Sequence, residues 1–264
     1  MCLLVLAYRC HPEFPLIVAA NRDEFFRRPT APADFWNNDI LAGRDLEAGG
    51  TWMGVNRTGR FAALTNVRDP KVFRADAKSR GLIVSDFLVS EKPATDFLTQ
   101  LARDCDNYNG FNLVLGDSNQ LNYFNNITKE TLELSSGIHG LSNDQLDTPW
   151  PKVTRAKRGL EKALTGSPDM LEPQLFELLR NDIKAGDDEL PDTGVGIERE
   201  RWLSPIFIRT KEYGTRCSTL LLSRRNGEIQ YIERTFDIDL QSVVLRRHQF
   251  ITTGNANTSF STIY

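Results

Sequence analysis

The sequence predicts an α+β protein in which two mostly antiparallel β-sheets are covered by helices. The 264 residues carry their apolar patterns in the order strands, helix pair, strands, helix pair, strands. Because helices do not alternate singly with strands, a doubly wound parallel sheet is disfavoured. No internal repeat, low-complexity segment or clear linker interrupts this order, so residues 1–264 are predicted to form a single domain.

The first strand block lies at the start of the chain. Two apolar runs, Cys2–Tyr8 and Leu16–Ala20, are joined by a proline-containing segment that suits a turn better than a strand interior. The next stretch, Phe25–Asn38, is rich in Pro, Asn and aromatic residues and is predicted to be a long loop. A glycine-rich segment then leads through a turn to a strand over Arg60–Thr65, which stops at Asn66.

Two pairs of helices are predicted further along the chain, and predicted strands separate them in the sequence. Apolar stripes at helical spacing predict helices over Lys78–Ser90 and Ala94–Asp104, and a second pair over Pro149–Leu164 and Leu171–Asn181. The acidic stretch Asp187–Gly196 contains Gly and Pro and is predicted to be an exposed loop.

The remaining apolar runs are predicted to be strands. An Asn-Gly pair before Glu228 predicts a tight hairpin between two of them. In order, these strands are Phe111–Gly116, Leu121–Phe124, Thr131–Leu134, Gly140–Ser142, Trp202–Ile208, Cys217–Ser223, Glu228–Phe236 and Val243–Ile251.

Composition and charge argue against several classes of function. The chain is 40% hydrophobic and 25% charged with a net charge of −3, so no basic excess favours nucleic-acid binding. No apolar run approaches the roughly 20 residues that span a bilayer. The run Leu3–Ala7 is too short for a signal peptide. We therefore expect a cytoplasmic protein that is not an integral membrane protein, and the sequence does not indicate its oligomeric state.

No metal site made of protein side chains is predicted. The four cysteines lack a Cys-x-x-Cys pair and are expected to be thiols in a reducing compartment. The three histidines are scattered, without a carboxylate or cysteine at metal-binding spacing. The sequence also contains no Gly-x-Gly-x-x-Gly, Walker A or Gly-x-Ser-x-Gly motif.

The first candidate for chemistry is Cys2, which follows Met1 directly. If Met1 is removed, Cys2 carries both a thiol and a free α-amine. Their ordinary pKa values, about 8.5 for a thiol and about 8 for an α-amine, allow easy proton exchange between them. The amine can then act as the base that activates the thiol. The alternative is that Cys2 is only a small buried hydrophobic residue of the first strand.

An amide, a cation and two carboxylates end the second apolar run, at Asn21, Arg22, Asp23 and Glu24. Such a group is often only a structural ion-pair cluster. In the functional interpretation, an aspartate binds and orients the α-ammonium of Cys2, and the arginine lowers the thiol pKa. A short connection makes the two strands neighbours, as this interpretation requires.

Amide side chains at strand ends supply a candidate oxyanion hole. Asn66 and Asn143 are either simple turn-forming residues or donors to the charge that develops on a carbonyl oxygen. Arg216 leads into a later strand, where it either stabilises the thiolate or pairs at the surface.

Eight sequence blocks in one order carry a resemblance to a known family. The blocks are Met1-Cys2 with Ala19–Phe25, Arg28-Pro29, Ala33–Trp36, Gly49–Gly54, Ala62–Asn66, Tyr108–Leu113, Gly140–Asn143 with Thr148–Trp150, and Tyr213–Arg216. Together they resemble the Asn-Arg-Asp-Glu motif family, also called the transport and Golgi organisation protein 2 family. Members of this family are linked to haem movement inside cells and to lipid or acyl-CoA homeostasis.

A more distant resemblance is to the N-terminal nucleophile (Ntn) acylases that cleave bile-salt and penicillin V amides. It is carried by the Met-Cys start, by Gly54–Gly59 leading to Asn66, and by Leu141–Asn143. It implies a four-layer αββα sandwich and, without a cofactor, hydrolysis of a C–N amide bond in an unknown small substrate. The site residues that it implies are Cys2, Arg22, Asp23, Asn66, Asn143 and Arg216.

This chain departs from the acylases at one motif. The acylases have Arg and Asp three positions apart, whereas Arg22 and Asp23 are adjacent here and Glu24 follows. Either carboxylate is therefore a candidate for binding the α-ammonium.

Two alternatives to an enzyme remain. The first is a non-enzymatic haem carrier that uses the same pocket for a transported ligand. No fixed pair of axial haem ligands is visible, so haem would bind weakly or transiently. The second is a scaffold with a vestigial pocket.

Overall fold

The computed structural model describes residues 2–239 and 242–253, so Met1, on whose removal the predicted α-amine depends, lies outside the described residues. The described strands are β1 (Cys2–Tyr8), β2 (Leu16–Phe25), β3 (Thr30–Phe35), β4 (Ile40–Asp45), β5 (Met53–Asn56), β6 (Phe61–Asn66), β7 (Phe111–Gly116), β8 (Leu121–Asn125), β9 (Glu130–Glu133), β10 (Gly137–Leu141), β11 (Tyr213–Ser223), β12 (Glu228–Phe236) and β13 (Ser242–Ile251). The described helices are α1 (Gly81–Val89), α2 (Ala94–Asp104), α3 (Pro151–Leu164), α4 (Pro168–Leu179) and α5 (Ile197–Leu203).

The strands form two sheets. The first has the order β10-β1-β2-β11-β12-β13, and the second has the order β3-β4-β5-β6-β7-β8-β9. Every neighbouring pair in both sheets is antiparallel. The predicted α+β class with antiparallel sheets is therefore confirmed, and β1 and β2 are neighbours as expected.

Because successive side chains of a strand point to opposite faces of the sheet, each strand contributes side chains to two cores. In β1, Leu4 and Leu6 point into the core between the sheets, whereas Leu3 and Val5 pack against α3 and α4. On the outer face of the second sheet, α1 and α2 contribute the core that contains Phe87. The order of layers is helices, sheet, sheet, helices, so the predicted αββα sandwich is confirmed.

The prediction of a strand over Trp202–Ile208 was wrong. This segment begins with the end of α5 and continues as irregular backbone, although Ile206 and Ile208 are fully buried. An apolar run needs sheet pairing only when nothing else satisfies its backbone groups. Here Asn21 Nδ2 donates to the carbonyl oxygen of Ile206, and the amide of Ile208 donates to Thr215 Oγ1.

The predictions at the start of the chain also need correction. The stretch Phe25–Asn38 is not a continuous loop, because it contains β3. This strand lies at the edge of the second sheet and has an irregular register after Ala31, where a proline is tolerated. In addition, β2 does not stop at Ala20 but continues to Phe25. It pairs with β1 as far as Arg22 and with β11 as far as Phe25.

Asn21 supports a stability prediction, because its buried amide joins three elements. Nδ2 donates to the carbonyls of Leu179 and Ile206, both at 2.8 Å, and Oδ1 accepts from Ser218 Oγ at 2.6 Å. Each buried polar group left unpaired costs about 1–3 kcal/mol. We expect Asn21→Leu to lower the free energy of unfolding by at least about 2 kcal/mol in urea titrations. The same change at exposed Asn38 should have little effect, and equal losses in the two variants would contradict this account.

Candidate functional site

Three neighbouring strands bring Cys2 and Arg22 into one row. Cys2 of β1 lies opposite Arg22 of β2, and Arg22 lies opposite Cys217 of β11. Side chains directly opposite each other in antiparallel strands share one face of the sheet. Cys217 belongs to the core between the sheets, so Cys2 and Arg22 also point to that side.

Cys2 and Arg22 open into a cleft of about 400 Å³. Asn66 and Trp52 also line it. A larger cleft, of about 620 Å³, lies at the opposite end of β1 and contains none of the predicted site residues. The charged residues that line the Cys2 cleft are Arg22, Asp23, Glu24, Arg28, Asp45, Glu47, Arg74, Lys78 and Arg80.

The Arg22 guanidinium is buried and held from several sides. Nη1 donates to Thr30 Oγ1 at 3.1 Å, and Nη2 lies 3.4 Å from Asp45 Oδ2 and 3.8 Å from Glu24 Oε2. The guanidinium carbon also lies 4.4 Å from the centroid of the Trp52 ring, within cation–π distance. A positive charge is thus fixed beside Cys2.

Other cations of the cleft differ in how they are paired. Arg28 pairs with Asp45 at 2.7 Å and with Glu47 at 2.9 Å. Arg80 donates to the carbonyl of Gly110 at 2.9 Å, and in residues 2–239 and 242–253 it forms no ion pair. Arg80 is therefore a cation available to an anionic group that enters the cleft.

The surroundings of Cys2 favour the neutral thiol. Burial raises the pKa of the Cys2 thiol above its usual value, and the Asp23 carboxylate acts in the same direction. The Arg22 cation opposes this rise. Cys2 therefore needs a nearby base before its sulfur can act as a nucleophile.

The carboxylates of Asp23 and Glu24 point to different environments. Asp23 is 1% exposed and faces the helices, where its Oδ1 accepts a hydrogen bond from Thr215 Oγ1 at 2.7 Å. Along β2, Asp23 follows the residue that pairs with Cys2. Because the strands are antiparallel, Asp23 therefore lies on the side of the Cys2 backbone nitrogen. Glu24 is partly exposed, and its carboxylate accepts from the amide of Phe25 at 2.8 Å.

The two predicted asparagines lie one behind the other. Asn66 ends β6 and lines the cleft. Asn143 is 1% exposed, and its Nδ2 donates to the backbone carbonyl of Asn66 at 2.8 Å. The neighbouring Ser142 Oγ donates to the Cys2 carbonyl at 3.3 Å. In this structure Asn143 therefore holds the main chain of Asn66, and it is Asn66 that reaches the cleft.

Arg216 lies at the irregularity in β11 and does not line the cleft. Its Nη1 donates to the backbone carbonyls of Phe25, Phe26 and Arg28 at 3.0, 3.2 and 3.0 Å. This side chain therefore holds the turn that follows β2 and presents Arg28 to the cleft.

Sequence reasoning missed a group of buried charges behind the site. Lys152 is 2% exposed, and its Nζ donates to the carbonyl of Leu203 at 3.1 Å. Arg68 and Glu200 form a buried ion pair at 2.5 Å. Lys152 lies on the same face of α3 as Ala156, four residues later, and this spacing could have predicted that Lys152 is buried. No such signal existed for Glu200, because α5 was not predicted.

Across 2–239 and 242–253, no group of three or more His, Cys, Asp or Glu side chains is arranged to hold a metal ion. Within those ranges no helix has the length and apolar character needed to cross a membrane.

Residues 1–238 match the family described as Transport and Golgi organisation 2. The chain belongs to this family. It is 35% identical over 261 residues to the Transport and Golgi organization 2 homolog of Mus musculus, covering 89% of this chain and 93% of that protein. It is 32% identical over 277 residues to the Homo sapiens homolog, covering 95% and 99%. The resemblance drawn from the eight sequence blocks is thus confirmed.

A solved structure agrees with the fold that the acylase resemblance implies. The Caenorhabditis elegans N-acylethanolamine-hydrolyzing acid amidase ortholog matches with a TM-score of 0.50 and covers 84% of this chain and 92% of its own. The identity is only 12%, so this match shows the Ntn-hydrolase fold alone.

The turn that carries Ser142 and Asn143 is braced by Asp147. Its Oδ1 accepts from the Gly140 amide at 2.8 Å and from Lys157 Nζ at 2.6 Å, and its Oδ2 lies 2.9 Å from His139 Nδ1. Burial acts to raise the pKa of Asp147, but the hydrogen bonds from His139 and Lys157 outweigh it and lower the pKa to about 2. The Asp147 hydrogen bond raises the pKa of His139.

These shifts predict how stability depends on pH. The contribution of Asp147 is present above the unfolded-state pKa of about 3.9 and is lost as the pH falls towards 2. That of His139 is present below about pH 6.5 and is lost as the pH rises through its raised pKa. Urea titrations should therefore show the largest loss in Asp147→Asn near pH 5. A loss in Asp147→Asn that is independent of pH would contradict this account.

Proposed function

We propose that the protein is an amidohydrolase of the Ntn type, with Cys2 as its N-terminal nucleophile after removal of Met1. The observation that carries the proposal is the arrangement at one end of β1. There Cys2 shares a cleft with Asn66, lies beside the fixed cation of Arg22, and has the buried carboxylate of Asp23 on the side of its backbone nitrogen.

The reaction proceeds in two balanced steps. The neutral α-amine of Cys2 takes the proton of the thiol, and the sulfur attacks the carbonyl carbon of the amide. The C–N bond then breaks, the leaving amine takes the proton from the α-ammonium, and a thioester remains on Cys2. Water, deprotonated by the same α-amine, attacks the thioester and releases the carboxylic acid and the free thiol.

Burial makes the α-amine necessary. The pKa of the Cys2 thiol is raised, so the thiolate is scarce at neutral pH unless a base lies next to it. Arg22 stabilises the thiolate as it forms. Asp23 is the better placed partner for the α-ammonium, because Glu24 is directed towards Arg22 and the Phe25 amide.

Asn66 is the proposed donor to the oxyanion. Asn66 lines the cleft with Cys2, and the hydrogen bond from Asn143 to its backbone carbonyl fixes its position. The role of Asn143 in this proposal is therefore to hold Asn66 in a geometry suited to the transition state. Arg216 acts at a greater distance, through the turn that presents Arg28.

The proposal is tested first at the N-terminus. Intact-mass spectrometry of the purified protein should show a chain that lacks Met1. A panel of aminomethylcoumarin amides with short, medium and long acyl groups should then reveal turnover that Cys2→Ala abolishes. Cys10→Ala removes an exposed thiol elsewhere and should leave turnover unchanged. Quantitative retention of Met1, or equal turnover in Cys2→Ala and the wild type, would overturn the proposal.

A second test concerns the oxyanion. Removing one such donor typically lowers the rate by a factor of about 10²–10³. We expect Asn66→Ala to lower kcat/KM on the hydrolysed amide by about this factor, with most of the loss in kcat. Asn109 lines the same cleft but donates to the Arg74 carbonyl, so Asn109→Ala should lose less than about tenfold. Comparable losses in both variants would argue against the role of Asn66.

The haem-carrier alternative makes a different prediction at this cleft. Cys2 is the one thiol among the described cleft residues, and no histidine is among them. A single thiol ligand to the haem iron is consistent with weak haem binding. Titration of haem into the wild type and Cys2→Ala tests this alternative. A Soret shift that depends on Cys2, in a protein without amide turnover, would favour the carrier. A role in lipid or acyl-CoA homeostasis stays a prediction of the family resemblance.

A further inference from the structure

Lys152 is a buried ammonium that the proposed reaction does not use. It lies in the first turn of α3, next to Val153, which packs in the same core as Leu3 of β1. This places Lys152 near the end of β1 that begins with Cys2. Its Nζ donates to the carbonyl of Leu203 at 3.1 Å.

The segment whose Leu203 carbonyl accepts the hydrogen bond from Lys152 also covers Asp23. Five residues beyond Leu203, the amide of Ile208 donates to Thr215 Oγ1 at 2.9 Å. The same hydroxyl donates to Asp23 Oδ1 at 2.7 Å. Lys152 and Asp23 therefore lie under one short stretch of chain, on the helix-facing side of the sheet.

Two cations and two carboxylates are buried together there. Arg68 and Glu200 are bonded to each other at 2.5 Å, and Glu200 Oε1 also accepts from Thr193. That pair is satisfied by its own contacts. Lys152, by contrast, makes no ion-pair contact with a carboxylate in residues 2–239 and 242–253, so it acts on Asp23 through space.

A free α-amine on Cys2 would enter this cluster from β1. In its protonated form it would join the cations Lys152 and Arg68 beside two carboxylates, with Arg22 on the opposite face of the strand, among side chains that are at most 6% exposed. Charges interact more strongly there than in solvent. Asp23 attracts the ammonium, whereas Lys152 and Arg68 repel it. The balance between these charges sets how readily the amine gives up its proton.

We propose that Lys152 is a positioning residue that competes with the N-terminal ammonium for the Asp23 carboxylate and so keeps the α-amine of Cys2 neutral. This rests on the proposed function, because only an N-terminal Cys2 has such an amine. The neutral form is the one that takes the thiol proton. Without Lys152, the amine would stay protonated on Asp23 and would be a poor base at neutral pH.

The groups facing Lys152 agree with this role. Burial and the Arg68 cation lower the pKa of Lys152 to about 8, while Asp23, Cys2 and Glu200 act to raise it. The protonated form of Lys152 supplies the repulsion.

The test measures the α-amine directly. A chain carrying Cys2→Ala, so that no thiol interferes, is prepared by cleaving a removable leader immediately before residue 2. The pH dependence of N-terminal acylation by an amine-reactive ester is then followed by peptide mass spectrometry. Because the N-terminus is made in vitro, the result does not depend on how Met1 is processed or on finding a substrate. A failure of the proposed function and a failure of this inference are thus distinguishable.

Lys152→Met should raise the apparent pKa of the amine, so that N-terminal acylation at pH 7 becomes about tenfold slower, equivalent to one pKa unit. Lys152→Arg keeps the charge and should stay within about twofold of the parent chain. Lys162→Met, an exposed change on the same helix, should have no effect. If Lys152→Met does not fold, Lys152→Gln, which can still donate to the Leu203 carbonyl, provides the same comparison. An unchanged or faster acylation in a folded variant without the Lys152 charge would overturn the inference.

Discussion

The antiparallel register that pairs Cys2 with Arg22 is the constraint on which the rest of the site depends. Since side chains alternate along a strand, this register sends Arg22 to the cleft and Asp23 to the helices. One strand end therefore presents a cation to the thiol and a carboxylate to the opposite side of the same backbone. A shift by one residue would exchange these two side chains, and neither would then suit its surroundings.

The helical layer is tied to this strand end by polar contacts as well as by apolar packing. Asn21 anchors the irregular segment after α5, and that segment carries the Leu203 carbonyl, which accepts from Lys152. On the other side, Arg68 connects Glu200 of α5 to Asn143, which in turn holds Asn66. The site is thus assembled from elements far apart in sequence, and each buried charge has a partner whose position another element fixes.

The sequence allowed the layers to be predicted because strand and helix periods leave a clear apolar pattern. The proximity of Cys2 and Arg22 followed from the short connection between their two strands. The strand predicted over Trp202–Ile208 failed because apolar side chains there are buried without sheet pairing, and local periodicity does not report on that. The cluster around Lys152 and Glu200 was missed for a related reason, since contacts between distant segments determine which charged side chains are buried.

The buried charges also bear on whether the cleft is catalytic or only binds a ligand. Burying a carboxylate and an ammonium costs free energy unless each is compensated. A pocket that merely held a ligand would need charges that face the cleft, as Arg80 does. The Asp23 carboxylate, although Asp23 also lines the cleft, is directed with Lys152 to the helix side of the strand that bears Arg22, near the backbone nitrogen of Cys2. In the proposed reaction, charges in that place act on the α-amine of an N-terminal Cys2, and such an amine needs this control when it takes part in proton transfer.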